Sequence, residues 1–195
     1  MSGTAGGPLP VVIGMTGASG PQYGITVLRQ LAEAGVPAHL VMSKAAATTI
    51  AYETDSSVRE VKALAAESYS LGDLGAAIAS GSFRTRGMVV APCSVKTLSG
   101  IAHSYEDNLL LRAAGVTLKE RRPLVLMFRE NPLHLGHIRL MLQATENGAV
   151  VFPPTPAFYT RPTSLEEVVH QSCARALDQL GLDIPIERWQ GIGPR

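Results

Sequence analysis

A β-forming run, Val11-Val12-Ile13-Gly14-Met15, passes without a linker into the turn Thr16-Gly17-Ala18-Ser19-Gly20. This junction constrains the fold more than any other stretch of the chain. Pro21 and Tyr23-Gly24 follow, then a helical pattern of Ile25, Val27-Leu28 and Leu31-Ala32 that stops at Gly35. Strand, tight Gly/Ser turn and helix is the opening unit of a nucleotide-type α/β fold. Glycines let a ligand approach the backbone closely, and the free N–H groups at the helix start attract phosphate. Thr16 and Ser19 are expected to add hydroxyl donors there. The glycine spacing is not G-x-G-x-x-G, so a mononucleotide phosphate fits better than a dinucleotide.

Further strands are predicted at 38–42, 87–91, 123–128 and 149–152. Helical patterns lie between them at 45–52, 57–66, 108–114 and 137–146, and either Ser94 or Ser99 opens another. Residues 72–82 read as loop. Ser164 with Glu167 forms a capping box for a last helix ending near residue 180. Continuous apolar strands alternating with helices indicate parallel strands buried on both faces, hence a doubly wound, three-layer α/β sandwich. There is no repeat and no linker. One domain spans 11–190, after a flexible lead-in of ten residues and before a tail of five.

Ligands of such folds sit at the C-terminal ends of the strands. Collected there, the chain is expected to offer hydroxyls (Ser19, Ser43, Ser94, Thr97), cations (Lys96, Lys119, Arg129) and carboxylates (Glu53, Glu130). The hydroxyls and amides suit a phosphate ester, and the cations suit a second anion.

Composition narrows the classes. The 195 residues suit one domain with a sizeable core, and a net charge of +1 gives no reason to expect nucleic-acid binding. No apolar run approaches the ~18–20 residues of a membrane span, and the first ten residues lack the pattern of a signal peptide. Cys93 and Cys173 have no metal-ligand or CxxC spacing, nor have the five histidines. A reduced, cytoplasmic, metal-free protein is expected. Taken singly, Cys93 reads as a core residue, His103, His134 and His137 as surface or loop histidines, Arg112 and Lys119 as surface charges, and Trp189 as packing a tail onto the core. Glu53 reads equally as a solvated helix end or a site group. Pattern alone reaches a phosphate-binding α/β enzyme.

Longer blocks carry a resemblance. They are the run from Met15 to Gly24, Ser43-Lys44-Ala45-Ala46 with Glu53-Thr54, Ala79-Ser80-Gly81-Ser82-Phe83, and Gly87 through Pro92-Cys93-Ser94-Val95-Lys96-Thr97-Leu98. The series continues with Asp107 through Arg112 and Lys119 to Arg129-Glu130, then Pro156-Ala157-Phe158-Tyr159, Arg161-Pro162 and Leu177-Asp178-Gln179-Leu180-Gly181. Over about residues 11–190 the chain resembles the UbiX-type flavin prenyltransferases. The resemblance implies transfer of a dimethylallyl group from dimethylallyl monophosphate to N5 and C6 of reduced FMN. The prenylated FMN would serve a UbiD-type decarboxylase.

It further implies that Gly17, Ala18, Ser19, Ser43, Ser94, Val95, Lys96 and Thr97 hold FMN, with Arg129 touching it. Lys119, Arg129, Tyr159 and Arg175 would grip the donor phosphate, with Arg112 nearby. Glu130 would protonate that phosphate, and Ser19 with Glu53 would move the proton on the flavin. A homo-oligomer, a dodecamer, with sites at subunit junctions is expected. Leu74 stands where the family often carries Trp, which leaves the donor preference open. Asn131 and Gly136 are smaller departures. Two rivals remain, a non-catalytic FMN carrier and an FMN-dependent cysteine decarboxylase, whose Pro-Ala-Ser-Ala-Asn-Thr motif is absent at 91–97.

Overall fold

The computed structural model describes residues 7–192. Six parallel strands form one sheet: β1 (Val11–Met15), β2 (Ala38–Met42), β3 (Glu67–Tyr69), β4 (Gly87–Cys93), β5 (Leu124–Phe128) and β6 (Val150–Val151). Their order is β3-β2-β1-β4-β5-β6. Seven helices flank it: α1 (Gln22–Glu33), α2 (Lys44–Glu53), α3 (Val58–Ala63), α4 (Val95–Ala102), α5 (Leu109–Lys119), α6 (Leu135–Glu146) and α7 (Leu165–Asp178). The doubly wound α/β expectation holds.

Side chains alternate across each strand, which divides the core in two. Ile13, Met15, Val89, Ala91, Val125 and Met127 face α1, α2 and α7. Val12, Met88, Val90, Leu124, Leu126 and Phe128 face α4, α5 and α6. β1, β4 and β5 are buried throughout, as strands covered on both faces must be. Cys93 and Cys173 are core residues, and burial pushes both thiols well up.

The expected elements shift in three places. The helix predicted at 57–66 ends at Ala63, and Glu67–Tyr69 then pairs beside β2 as an edge strand. The Ser164 hydroxyl caps α7 by accepting from the Glu167 N–H, but the Glu167 carboxylate turns back to the N–H and hydroxyl of Thr163. A reciprocal capping box occurs instead at Ser57 and Glu60. Ser94, not Ser99, opens α4. Of the ten-residue lead-in, residues 1–6 lie outside the described residues, and the Pro10 carbonyl accepts from the Arg86 N–H.

Candidate active site

Strand order reverses between β1 and β4, and a crevice opens beyond their C-terminal ends, the place where such sheets take ligands. The turn after β1 packs closely against the start of α2. A Cβ on Gly17 would stand 2.3 Å from the Ala45 Cβ, so only glycine lets the turn lie against the start of α2. Gly20 takes φ +93°, which bends the chain into α1.

Thr16 departs from its expected role as a ligand donor. It is 2% exposed; its hydroxyl donates to the Pro92 carbonyl at 2.6 Å and accepts from the Ser94 N–H at 2.9 Å. A buried unpaired group of either kind costs about 1–3 kcal/mol. Thr16 therefore ties the ends of β1 and β4 into one rim. Pro92 lacks an N–H for the ladder, and the β4–β5 register slips between Val90 and Cys93.

Two serine-capped helices start on this rim. The Ser43 hydroxyl accepts from the Ala46 N–H at 3.1 Å. The Ser94 hydroxyl accepts from the Thr97 N–H and donates to the Thr97 hydroxyl at 3.2 Å. Such a cap satisfies one of several open N–H groups at a helix start, so the turn keeps its attraction for an anion. Val95 and Lys96 form the first turn of α4, with Lys96 exposed.

Ser19 and Glu53 meet directly. The Ser19 hydroxyl donates to Glu53 Oε2 at 3.1 Å, and the Gly20 N–H donates to the same oxygen at 2.8 Å. Gln22 fixes the other side by donating to the Glu53 carbonyl at 2.9 Å. Glu53 is thus held by the turn it faces rather than left as a solvated helix end. Ser19, Glu53 and Arg129 line a cavity of about 570 Å³, whose apolar wall comes from Ile25, Leu165 and Val169. Burial raises the Tyr23 phenol above its usual range, and the adjacent Arg129 charge partly opposes this. Among the described residues Arg129 forms no ion pair. The next residue, Glu130, is exposed and accepts from the Asn131 N–H at 3.0 Å.

The remaining predicted residues do not join this cluster within one chain. Lys119 ends α5 and leads into the N-terminal end of β5, the opposite edge of the sheet from the crevice. Its ammonium bonds Glu120 at 2.5 Å and holds that carboxyl below its usual range. Lys119 lines a separate cavity with Gly100, Glu106 and Gly115, so the expectation that it gathers at the strand ends is corrected. Arg112 pairs with Glu106 at 2.6 Å and donates to the Ala79 carbonyl at 3.1 Å.

Tyr159 precedes α7, where its hydroxyl accepts from Gln171 and its ring meets the edge of Trp189. Arg175 sits in the last turn of α7, paired with Asp178. Leu165, at the other end of that helix, borders the 570 Å³ cavity; ten residues at about 1.5 Å each separate the two. Sequence reasoning missed Gln22 and Gln171 as holders of site residues, and the tie made by Thr16. Glutamine carries no chemical signature of such a role.

Strand order, capped helix starts, glycine turn and free arginine define a mononucleotide-binding α/β protein. Comparison with known proteins sharpens that class. The Flavoprotein family matches residues 3–176. A flavin prenyltransferase UbiX of Thauera aromatica is 58% identical over 182 residues, covering 93% of this chain and 94% of the relative. The structure of AnUbiX (PadA1) in complex with FMN and dimethylallyl pyrophosphate is 49% identical with a TM-score of 0.93, covering 95% of this chain and all of that one. A dodecameric FMN-dependent UbiX-like decarboxylase from Escherichia coli O157:H7 is 50% identical with a TM-score of 0.91, covering 94% and 100%. The chain belongs to the Flavoprotein family and, within it, to the UbiX-type flavin prenyltransferases. No helix of the described residues is long and apolar enough to cross a membrane. Among them, no three His, Cys, Asp or Glu side chains are grouped to hold a metal ion.

Proposed function

We infer that the protein is a flavin prenyltransferase that joins a dimethylallyl group to FMN. The observation that carries this is the Ser19–Glu53 contact beside Arg129 at the crevice, in a chain so close to UbiX enzymes. The residues fit FMN: glycine at 17 lets the turn lie against the start of α2, and the capped starts of α2 and α4 beside it suit the flavin's phosphate. Gly17, Ala18, Ser19, Ser43 and the segment from Ser94 through Val95 and Lys96 to Thr97 would hold it. When bound and reduced, FMN supplies the electron-rich ring that accepts the allyl group.

The side chains have separable tasks. The Ser19 hydroxyl can take a proton on a lone pair while passing its own to Glu53 Oε2, a relay of one step. Arg129 supplies positive charge where the donor phosphate departs, and Glu130 delivers a proton to that phosphate. Lys119, Tyr159 and Arg175 complete the phosphate clamp, with Arg112 supporting it. Since these lie on other faces of the subunit, they serve the crevice of a neighbouring copy, and the working enzyme is a homo-oligomer. A dodecamer, as in the E. coli relative, is the assembly proposed. The product would pass to a UbiD-type decarboxylase in the cytoplasm, and the donor would be the monophosphate. A carrier has no need of the Ser19–Glu53 relay.

An anaerobic single turnover with reduced FMN and dimethylallyl monophosphate, read by mass spectrometry, tests this. The flavin should gain one five-carbon unit, and Glu130→Gln should slow its appearance by about 100-fold or more. Unchanged FMN with both the monophosphate and the diphosphate would overturn the assignment.

A further inference from the structure

Gln171 lies in the middle of α7, 7% exposed, with its amide between two oxygens. Nε2 is 3.1 Å from the Glu187 carbonyl oxygen and 3.2 Å from the Tyr159 hydroxyl. A backbone carbonyl can only accept, so the nitrogen and not the amide oxygen must face it. One hydrogen of the amide is thereby committed to Glu187, and the other goes to Tyr159. The phenol oxygen is the acceptor in that bond, and its own hydrogen must point elsewhere.

The ring is fixed as well as the oxygen. Trp189 meets Tyr159 edge-on, with centroids 5.7 Å apart and planes at 70°. Arg175 follows Gln171 by one helical turn, which puts both on one face of α7. A phenol held as a donor and a guanidinium then share one side of the helix, a pairing that suits phosphate oxygen.

We propose that Gln171 is a positioning residue: it fixes Tyr159 as a hydrogen-bond donor to the phosphate of the prenyl donor, with the C-terminal segment around Glu187 and Trp189 as its backstop. The proposal rests on the reading above that Tyr159 and Arg175 grip that phosphate.

Four proteins test it: the parent, Gln171→Met, Tyr159→Phe and the double variant. Each is measured for donor KM, kcat, FMN affinity and melting temperature. Gln171→Met keeps the side-chain length and removes the donor, so donor KM should rise about tenfold while kcat and FMN affinity stay within about twofold. In the Tyr159→Phe background there is no hydroxyl to orient, and the same change should add less than about a twofold rise. Equal effects of Gln171→Met in both backgrounds, or none in the parent, would overturn the proposal while leaving the phosphate clamp intact. A Tyr159→Phe enzyme with unchanged donor KM would remove the clamp assignment, and the inference with it. Should Gln171→Met not fold, Gln171→Glu provides the second variant. It is nearly the same shape but accepts the phenol hydrogen, so it should raise donor KM further in the parent than in Tyr159→Phe; an equal rise in both would count against the proposal.

Discussion

Glu53 receives two hydrogen bonds at one carboxylate oxygen, and only one of them carries a transferable proton. Glu53→Gln keeps the size and an oxygen for the Gly20 N–H, but it cannot take the Ser19 proton. Turnover should fall by about 100-fold or more, the usual scale for a lost general base. FMN affinity should stay within about twofold, which fluorescence titration of the flavin would check. The pairing of these residues was legible only through resemblance, because thirty-four positions separate them and nothing in either residue type announces the other. Thr16 shows the reverse problem. Its position in a phosphate turn suggested a ligand contact, yet its hydroxyl is consumed by two backbone groups of the β4 rim.

At the scale of elements, α7 and the segment after it behave as one unit. Arg188 donates two hydrogen bonds to Asp178, Arg175 adds a third, and together they hold the Asp178 carboxyl below its usual range. A depressed carboxyl supports the folded form above its unfolded value of about 3.9 and loses that support as pH falls through its lower folded value. Acrylamide quenching of Trp189, the sole tryptophan, should therefore stay level from neutral pH to about 4 and rise below it. Asp178→Asn should already be more quenched at neutral pH and lack the acid step. Trp189 does not pack the tail onto the core as expected: Leu182, Ile184 and Ile186 do that, while Trp189 is 59% exposed and meets Tyr159 edge-on, a partner the sequence did not announce. Five of the six strands were readable from their apolar runs. The strand Glu67–Tyr69 was not, since a three-residue edge strand of Glu, Ser and Tyr has no buried face to announce it.

At the scale of the molecule, α6 carries an outward seam. Leu135, Ile138 and Leu142 fall at i, i+3 and i+7 and are 51–59% exposed, while only Ala144 of that helix is fully buried. That spacing suits a helix from a second copy, which the proposed homo-oligomer would supply. Ile138→Glu should shift the protein to a smaller species in light scattering, with the melting profile of the subunit otherwise retained; an unchanged mass would exclude α6 from the contact. The sheet and crevice could be anticipated because they follow from patterns within one chain. The separation of Lys119 on α5 and Arg175 on α7 from Arg129 at the crevice was foreshadowed only by the resemblance, which implied sites at subunit junctions, because spacing along a sequence carries no record of which edge of the sheet a helix end reaches. The central place of β1 has one more consequence, for biosynthesis. Its far neighbour, β4, begins only at Gly87, so a chain emerging from the ribosome carries an apolar strand with one open edge for much of its synthesis. Such edges recruit other strands when left waiting. The central strand of the sheet is thus completed on both sides only once the segment through Cys93 has been made.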